Sequence, residues 1–133
     1  MEKEFVHYEL AVKLKALGFN EPCAACYYKK FDNEIGYHKV YRDFNFVQLT
    51  VSAPTYSQAF RFFREKYDWQ HSIDPTADQH SHKLGYNYWI WNYKTGEEHY
   101  TIPKNRPTGD WEYETYEEAE VACLDKLIEL IEK

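Results

Sequence analysis

The sequence predicts an α+β protein with an antiparallel sheet of about 4–6 strands and three helices packed mainly on one face. Two observations predict this class. A similar helix-opening phrase occurs at 7–11, 55–59 and 115–119, and tight turns join the short strand candidates between these helices. No regular βα alternation is present. We expect residues 1–133 to form a single domain, because a chain of this length can bury one continuous core.

An amphipathic pattern predicts the first helix over 5–17, a helix at the N-terminus. Leu10 and Leu14 recur at helical spacing, with lysines on the opposite face. Gly18 follows at the position where a left-handed residue commonly ends a helix, and Pro22 lies shortly beyond it.

Capping boxes predict the middle helix over 55–67 and the C-terminal helix over 116–132. Thr55 and Thr115 stand at the caps, and Gln or Glu follows three residues later in each case. In such a box the Thr oxygen accepts from the amide three residues on, and the longer side chain returns to the cap amide. Phe62 falls outside the apolar face of the middle helix, so we expect its ring to be partly exposed.

Aromatic and β-branched runs bounded by turn residues predict the strands. The candidates are 23–29, 37–41, 44–51, 69–73, 84–93 and 99–102, with turns at 31–36 and 94–97 and loops at 74–82 and 103–109. In 84–93 the period of two predicts that Tyr88 and Ile90 face the core.

Composition limits the classes of function. The net charge of −6 argues against broad binding to nucleic acid or to an anionic membrane. No apolar run approaches the length of a membrane span, and the N-terminus has no signal-peptide pattern. Three cysteines, an odd number, indicate free thiols in a reducing compartment. We therefore expect a cytoplasmic protein.

Two groups of residues have the spacing of metal ligands. Cys23 and Cys26 form a CxxC, which is typical of redox or zinc sites but lacks a second pair, so we favour packing residues. On an extended segment, residues two apart point the same way, so Asp78, His80 and His82 could share a metal. The alternative for that segment is a solvated polar loop.

An aromatic strand face is the remaining candidate for a binding site. Trp89 and Trp91 lie on one side of the strand predicted at 84–93, where they could belong to the core or to an interface. Stacked bases would also suit this face, and Arg61 and Arg64 could supply a local basic patch.

Signatures of catalysis and of cofactor binding are missing from the sequence. There is no Gly-x-Ser-x-Gly elbow, no GxGxxG and no Walker pattern, and the five glycines are scattered singly. We expect no cofactor, and we lean towards a protein that is not an enzyme.

Three groups of phrases lie at 13–19 with 21–23, at 52–67 and at 115–124. Together they resemble small proteins of Bacteroides-type genomes and of the phages and mobile elements that they carry. This group has no assigned activity, so the resemblance implies an origin and no site residues. The last helix also resembles the end of HicB-type antitoxins, although the preceding strands lack that family's pattern.

The sequence thus predicts a non-enzymatic accessory protein of a phage or mobile element that acts through contacts with a protein partner or by self-association. The predicted interface consists of Phe62, Trp89, Trp91 and Leu130. Two alternatives remain open. One is a nucleic-acid-binding or antitoxin-like module using the arginines and tryptophans, and the other is a metal-dependent hydrolase using Asp78 and its two histidines.

Overall fold

The computed structural model describes residues 4–28, 34–42, 50–77, 82–101 and 111–132. Within them the chain forms three helices and six strands. In chain order the elements are α1 (Tyr8–Ala16), β1 (Cys23–Tyr28), β2 (Glu34–Arg42), β3 (Thr50–Ser52), α2 (Tyr56–Tyr67), β4 (Trp69–Ala77), β5 (Leu84–Asn92), β6 (Glu98–Tyr100) and α3 (Tyr116–Glu132). None of the helices in these ranges has the length and apolar composition needed to cross a membrane.

The α+β class is confirmed, but the predicted sheet of 4–6 strands is wrong. The described strands form two antiparallel sheets of three strands each, in the orders β2-β1-β3 and β4-β5-β6. Each sheet has a central strand, β1 or β5, whose two edges are both occupied by neighbours from the same half of the chain. Local pairing therefore completes two small sheets. That the helices pack mainly on one face stays a prediction.

Contacts between Cα atoms divide the chain into two compact units. The first consists of Met1–Phe62 with Ile128–Lys133, and the second of Phe63–Leu127. The boundaries fall inside α2 and α3. Each unit is described by itself below, and the prediction of a single domain stays a prediction.

In the first unit, α1 ends as its sequence predicts. Gly18 adopts a φ of 90°, the left-handed region that favours glycine. Its amide donates to Lys15 O and the Phe19 amide donates to Leu14 O, both at 3.0 Å. These two hydrogen bonds define a Schellman motif and place the Phe19 ring in the core.

The N-terminal segment pairs as a strand before α1 begins. Phe5 forms an antiparallel bridge with Thr55, and the Val6 amide donates to Pro54 O at 2.9 Å. The hydroxyl of Tyr27 in β1 donates to Val6 O at 2.7 Å. Because these bonds hold residues 5 and 6 in an extended conformation, the helix begins at Tyr8 and not at the predicted residue 5.

The predicted capping box of α2 is confirmed. The Thr55 Oγ1 accepts from the Gln58 amide, and the Gln58 Oε1 accepts from the Thr55 amide, both at 3.2 Å. The expectation for Phe62 is wrong, since its side chain is only 6% exposed. Its ring meets Phe19 edge to face at 5.3 Å between centroids, because the Schellman turn brings Phe19 inward.

In the second unit, β4 and β5 form a hairpin of nine paired residues on each strand. Residues 74–77 belong to β4, so the predicted loop at 74–82 begins too early. The turn from β5 to β6 is organised by Asn92, whose Oδ1 accepts from the amides of Lys94 and Thr95. Gly96 completes the turn with a φ of 79°.

One face of the second sheet, here called the inner face, is buried. Tyr88 and Ile90 lie on it, as the period of two predicts. Tyr88 stacks on Tyr113 at 6.2 Å, and Tyr86 meets Tyr116 of α3 edge to face at 5.8 Å. The opposite face of this sheet carries the exposed side chains of Asp74, Trp89, Glu98 and Tyr100.

Candidate binding face

The opposite face of the β4-β5-β6 sheet carries the candidate site and is here called the outer face. In an antiparallel sheet, residues directly opposite each other project to the same side. The register pairs Trp89 with Ser72 on β4 and with Tyr100 on β6, and it pairs Trp91 with Gln70 and Glu98. The outer face is formed by Gln70, Ser72, Asp74, Asn87, Trp89, Trp91, Glu98 and Tyr100.

Trp89 and Trp91 form a stacked aromatic pair. Two residues apart on β5, their rings lie 4.5 Å between centroids with planes 29° apart. Trp89 is 40% exposed and Trp91 is partly buried. The interaction between two such rings is worth about 0.5–1.5 kcal/mol beyond the effect of the area that they bury. This attraction holds the two rings together as one platform. The exposed ring therefore presents an ordered apolar surface to solvent.

A depression lies beside Trp89. Its volume is about 360 Å³. The lining residues are Asp74, Asn87, Tyr88, Trp89, Glu98, Tyr100 and Thr101. Among these described residues there are two carboxylates and no basic side chain, so the depression attracts positive charge. Tyr100, which is 54% exposed, adds a second aromatic wall.

The floor of the depression is held by hydrogen bonds. The Thr101 hydroxyl donates to Asn87 Oδ1 and accepts from the Tyr88 amide, each at 3.0 Å. The Glu112 amide donates to the same Asn87 oxygen at 3.0 Å. Because these bonds link β5 to Thr101 and to Glu112, they hold the floor of the depression in place.

The carboxylates on the walls are also oriented. The Trp89 indole Nε1 donates to Glu98 Oε2 at 3.2 Å. Across the sheet, the Ser72 hydroxyl donates to Asp74 Oδ2 at 3.1 Å. Both bonds set the direction of a charged group next to the exposed aromatic rings.

Trp111 covers one end of the outer face. A Cβ atom added at Gly85 would lie 1.9 Å from Trp111 Cδ2, so the indole rests directly on the β5 backbone. The Lys83 ammonium lies 5.5 Å from the centroid of the Trp111 ring. Glycine inside a strand indicates such a close approach, and this signal was available in the sequence.

The pKa values of His71 and Glu120 in this unit are shifted in opposite directions. Burial, reinforced by the charge of Arg64, lowers the pKa of His71 to about 4. Burial, reinforced by Glu117, raises the pKa of Glu120 to about 7. Neither residue lines the depression, so they bear on stability and not on the site.

The residues that were predicted as an interface belong to both compact units. Trp89 and Trp91 are together on the outer face of the second unit. Phe62 is buried in the first unit, and Leu130, which is partly buried, also belongs to that unit. The burial of Phe62 argues against its predicted interface role, and the interface role of Leu130 stays a prediction.

The two arginines of the predicted basic patch both lie on α2 but belong to different units, and the patch stays a prediction. Arg61 belongs to the first unit, and its Nη2 forms an ion pair with Glu21 Oε1 at 3.0 Å. Arg64 belongs to the second unit, near His71. Because Arg61 is engaged by a carboxylate, its charge is partly offset.

The metal hypotheses stay predictions. Asp78 and His80 lie outside the described residues, and His82 is exposed with a φ of 57°. Within the described ranges, no group of three or more His, Cys, Asp or Glu side chains could hold a metal ion. The three cysteines, all in the described part of the chain, are buried thiols that no disulfide joins, and Cys23 Sγ donates to Glu21 O at 3.4 Å.

Several residues of the depression were missed by the sequence analysis. Asp74 was assigned to a loop, and Glu98 and Tyr100 were not associated with Trp89. The alternation of β6 contained the signal, but only the strand register shows which residues face the tryptophans.

No protein-family model matches the chain, and the comparisons with curated proteins and with solved structures also gave no match. The resemblance to proteins of Bacteroides-type genomes and their phages therefore stays a prediction. Any functional conclusion depends on the geometry of the outer face.

Proposed function

We propose that the protein is a non-enzymatic binding protein that recognises another protein through the outer face of its second sheet. The observation that carries this proposal is the exposed Trp89 ring, stacked on Trp91 and flanked by Tyr100. Trp and Tyr are enriched among the residues that dominate binding energy at protein interfaces. A polar rim of Ser, Gln and carboxylate side chains surrounds the rings, as at such interfaces.

The charge of the face favours a protein over a nucleic acid. Stacked rings would suit bases, but Asp74 and Glu98 at the same site would repel phosphates. The nucleic-acid-binding module therefore ranks second. An origin in a phage or mobile element belongs to the proposal on the strength of the sequence resemblance alone.

A library of displayed random peptides tests the proposal, with the full chain as bait. We expect the library to yield enriched peptides that bind Trp89→Ser at least about tenfold more weakly than they bind the parent protein. The reason is that an aromatic anchor at an interface contributes roughly 2 kcal/mol or more to the binding free energy. Tyr93→Ser is the matched control, because Tyr93 is 59% exposed and lies in the turn beyond the outer face. Peptides that bind Trp89→Ser as well as the parent, or no enrichment at all, would contradict the proposal.

Self-association through the same face is the second form of this proposal. Native mass spectrometry of the parent and of Trp89→Ser distinguishes it from recognition of a different protein. A dimer that Trp89→Ser converts to a monomer would make a second copy of the chain the partner. A monomer in both cases leaves a different protein as the partner, to be found with the peptide library.

A further inference from the structure

We infer that the depression beside Trp89 binds an arginine side chain presented by a basic segment of the partner protein. This inference rests on the proposed function and names the chemistry of the partner. It follows from three properties of the depression: its aromatic walls, its oriented carboxylates and the absence of basic side chains among the lining residues that the structure describes.

The aromatic walls suit a planar cation. Trp89 and Tyr100 are opposite each other on neighbouring strands, and both rings are substantially exposed. A guanidinium group placed over the face of an aromatic ring is attracted by the ring quadrupole, with Trp the strongest partner. Arginine also stacks flat, which a compact and strongly hydrated ammonium group does less well.

The carboxylates supply the opposite charge and the hydrogen-bond geometry. Glu98 receives the Trp89 indole N–H on one oxygen and so stands beside the ring that would stack on the cation. A carboxylate has acceptor sites for about four hydrogen bonds, which allows the planar fork of arginine to bind as well. Asp74, held by Ser72, provides a second negative charge within the same depression.

The same features disfavour other occupants. A neutral or apolar side chain would remove water from Asp74 and Glu98, which are exposed in the free protein, without compensating their charge. A phosphorylated segment would be repelled. The volume of about 360 Å³ also admits the aliphatic part of an arginine side chain, which can pack on the rings.

Titration with two defined peptides tests the inference. The probes are acetyl-Gly-Gly-Arg-Gly-Gly-amide and the same peptide with citrulline, which is neutral and nearly isosteric. NMR of the full chain follows the Trp89 indole N–H, which the structure places on Glu98. We expect the arginine peptide to shift this resonance and to bind about tenfold more tightly than the citrulline peptide, with weakening at high salt.

Two variants connect the effect to the depression. Glu98→Gln combined with Asp74→Asn should abolish the preference for arginine over citrulline, while the dispersion of the remaining NMR resonances shows that the fold is retained. Glu97→Gln is the matched control, because Glu97 is adjacent in sequence but its Oε2 pairs with His99 at 2.7 Å and does not line the depression. It should bind the arginine peptide as the parent does.

Equal affinities of the parent for the arginine and citrulline peptides, or no shift with either at millimolar concentration, would overturn the inference. A lysine peptide that binds more tightly than the arginine peptide would do the same. These failures are distinct from failure of the proposed function. Library peptides whose binding depends on Trp89 but that carry no positive charge would support the proposed protein-binding function. They would contradict the inference that the depression binds arginine.

Discussion

Gly85 determines how the outer face of the second sheet ends. A methyl group at this position would lie 1.9 Å from Trp111 Cδ2 and 2.0 Å from Trp111 Cγ, so the indole can rest there only because glycine has no side chain. We predict that Gly85→Ala displaces Trp111 and lowers the free energy of unfolding by about 1–3 kcal/mol, the usual effect of overpacking. Urea unfolding and near-UV circular dichroism of the tryptophans measure the two effects.

Gly96→Ala is the control for this prediction. Gly96 has a φ of 79° and nothing within 4 Å of an added Cβ, so the substitution introduces backbone strain of roughly 1 kcal/mol without a steric clash. Its near-UV spectrum should match that of the parent. An unchanged near-UV circular dichroism spectrum for Gly85→Ala would contradict the packing of Trp111 against the β5 backbone.

At the scale of an element, the start of α2 depends on one capping box. Thr55→Ala removes the oxygen that accepts the Gln58 amide. We predict a loss of about 1 kcal/mol in the free energy of unfolding, typical of a lost Thr cap, and a lower melting temperature by circular dichroism. Ser57→Ala is the control, since Ser57 is exposed in the first turn of the same helix and should leave stability within about 0.5 kcal/mol of the parent. Equal melting temperatures for the two variants would contradict the role of the box.

Elements differed in how well the sequence predicted them. The middle and C-terminal helices were predicted within a residue of their limits, because a cap is set by side chains three residues apart. The end of β4 was missed, since Asp74 and Pro75 read as turn residues. Pairing with Asn87 and Tyr86 of β5 keeps them in the strand, and an edge strand tolerates proline.

At the scale of the whole molecule, two groups give the stability opposite dependences on pH. The folded-state pKa of Glu120 is raised from 4.5 to about 7, so the folded state binds more protons and stability falls as pH rises through this range. The folded-state pKa of His71 is lowered from 6.5 to about 4, so stability falls as pH decreases through that range.

Glu120→Gln separates these contributions. We predict that it stabilises the protein at pH 8, by on the order of 1 kcal/mol after discounting for solvent screening, and has little effect near pH 4. Thermal melts of the variant and the parent at both pH values measure the difference. Glu132→Gln, at an exposed position of the same helix, should show no such dependence. A Glu120→Gln effect of equal size at both pH values would contradict the raised pKa.

The sequence by itself determined the α+β class, the starts of α2 and α3, and the alternation that puts Tyr88 and Ile90 on the opposite side of β5 from Trp89 and Trp91. Helix caps and hydrophobic periodicity depend on residues only a few positions apart, so they can be recognised in a single sequence.

Only the tertiary structure decided that the strands form two sheets, that Phe62 is buried against Phe19, and that Tyr100 stands opposite Trp89. Each of these depends on which distant segments pair and in which register. A shift of one residue in β6 would turn Tyr100 away from the depression, so its position depends on the register that the paired strands adopt.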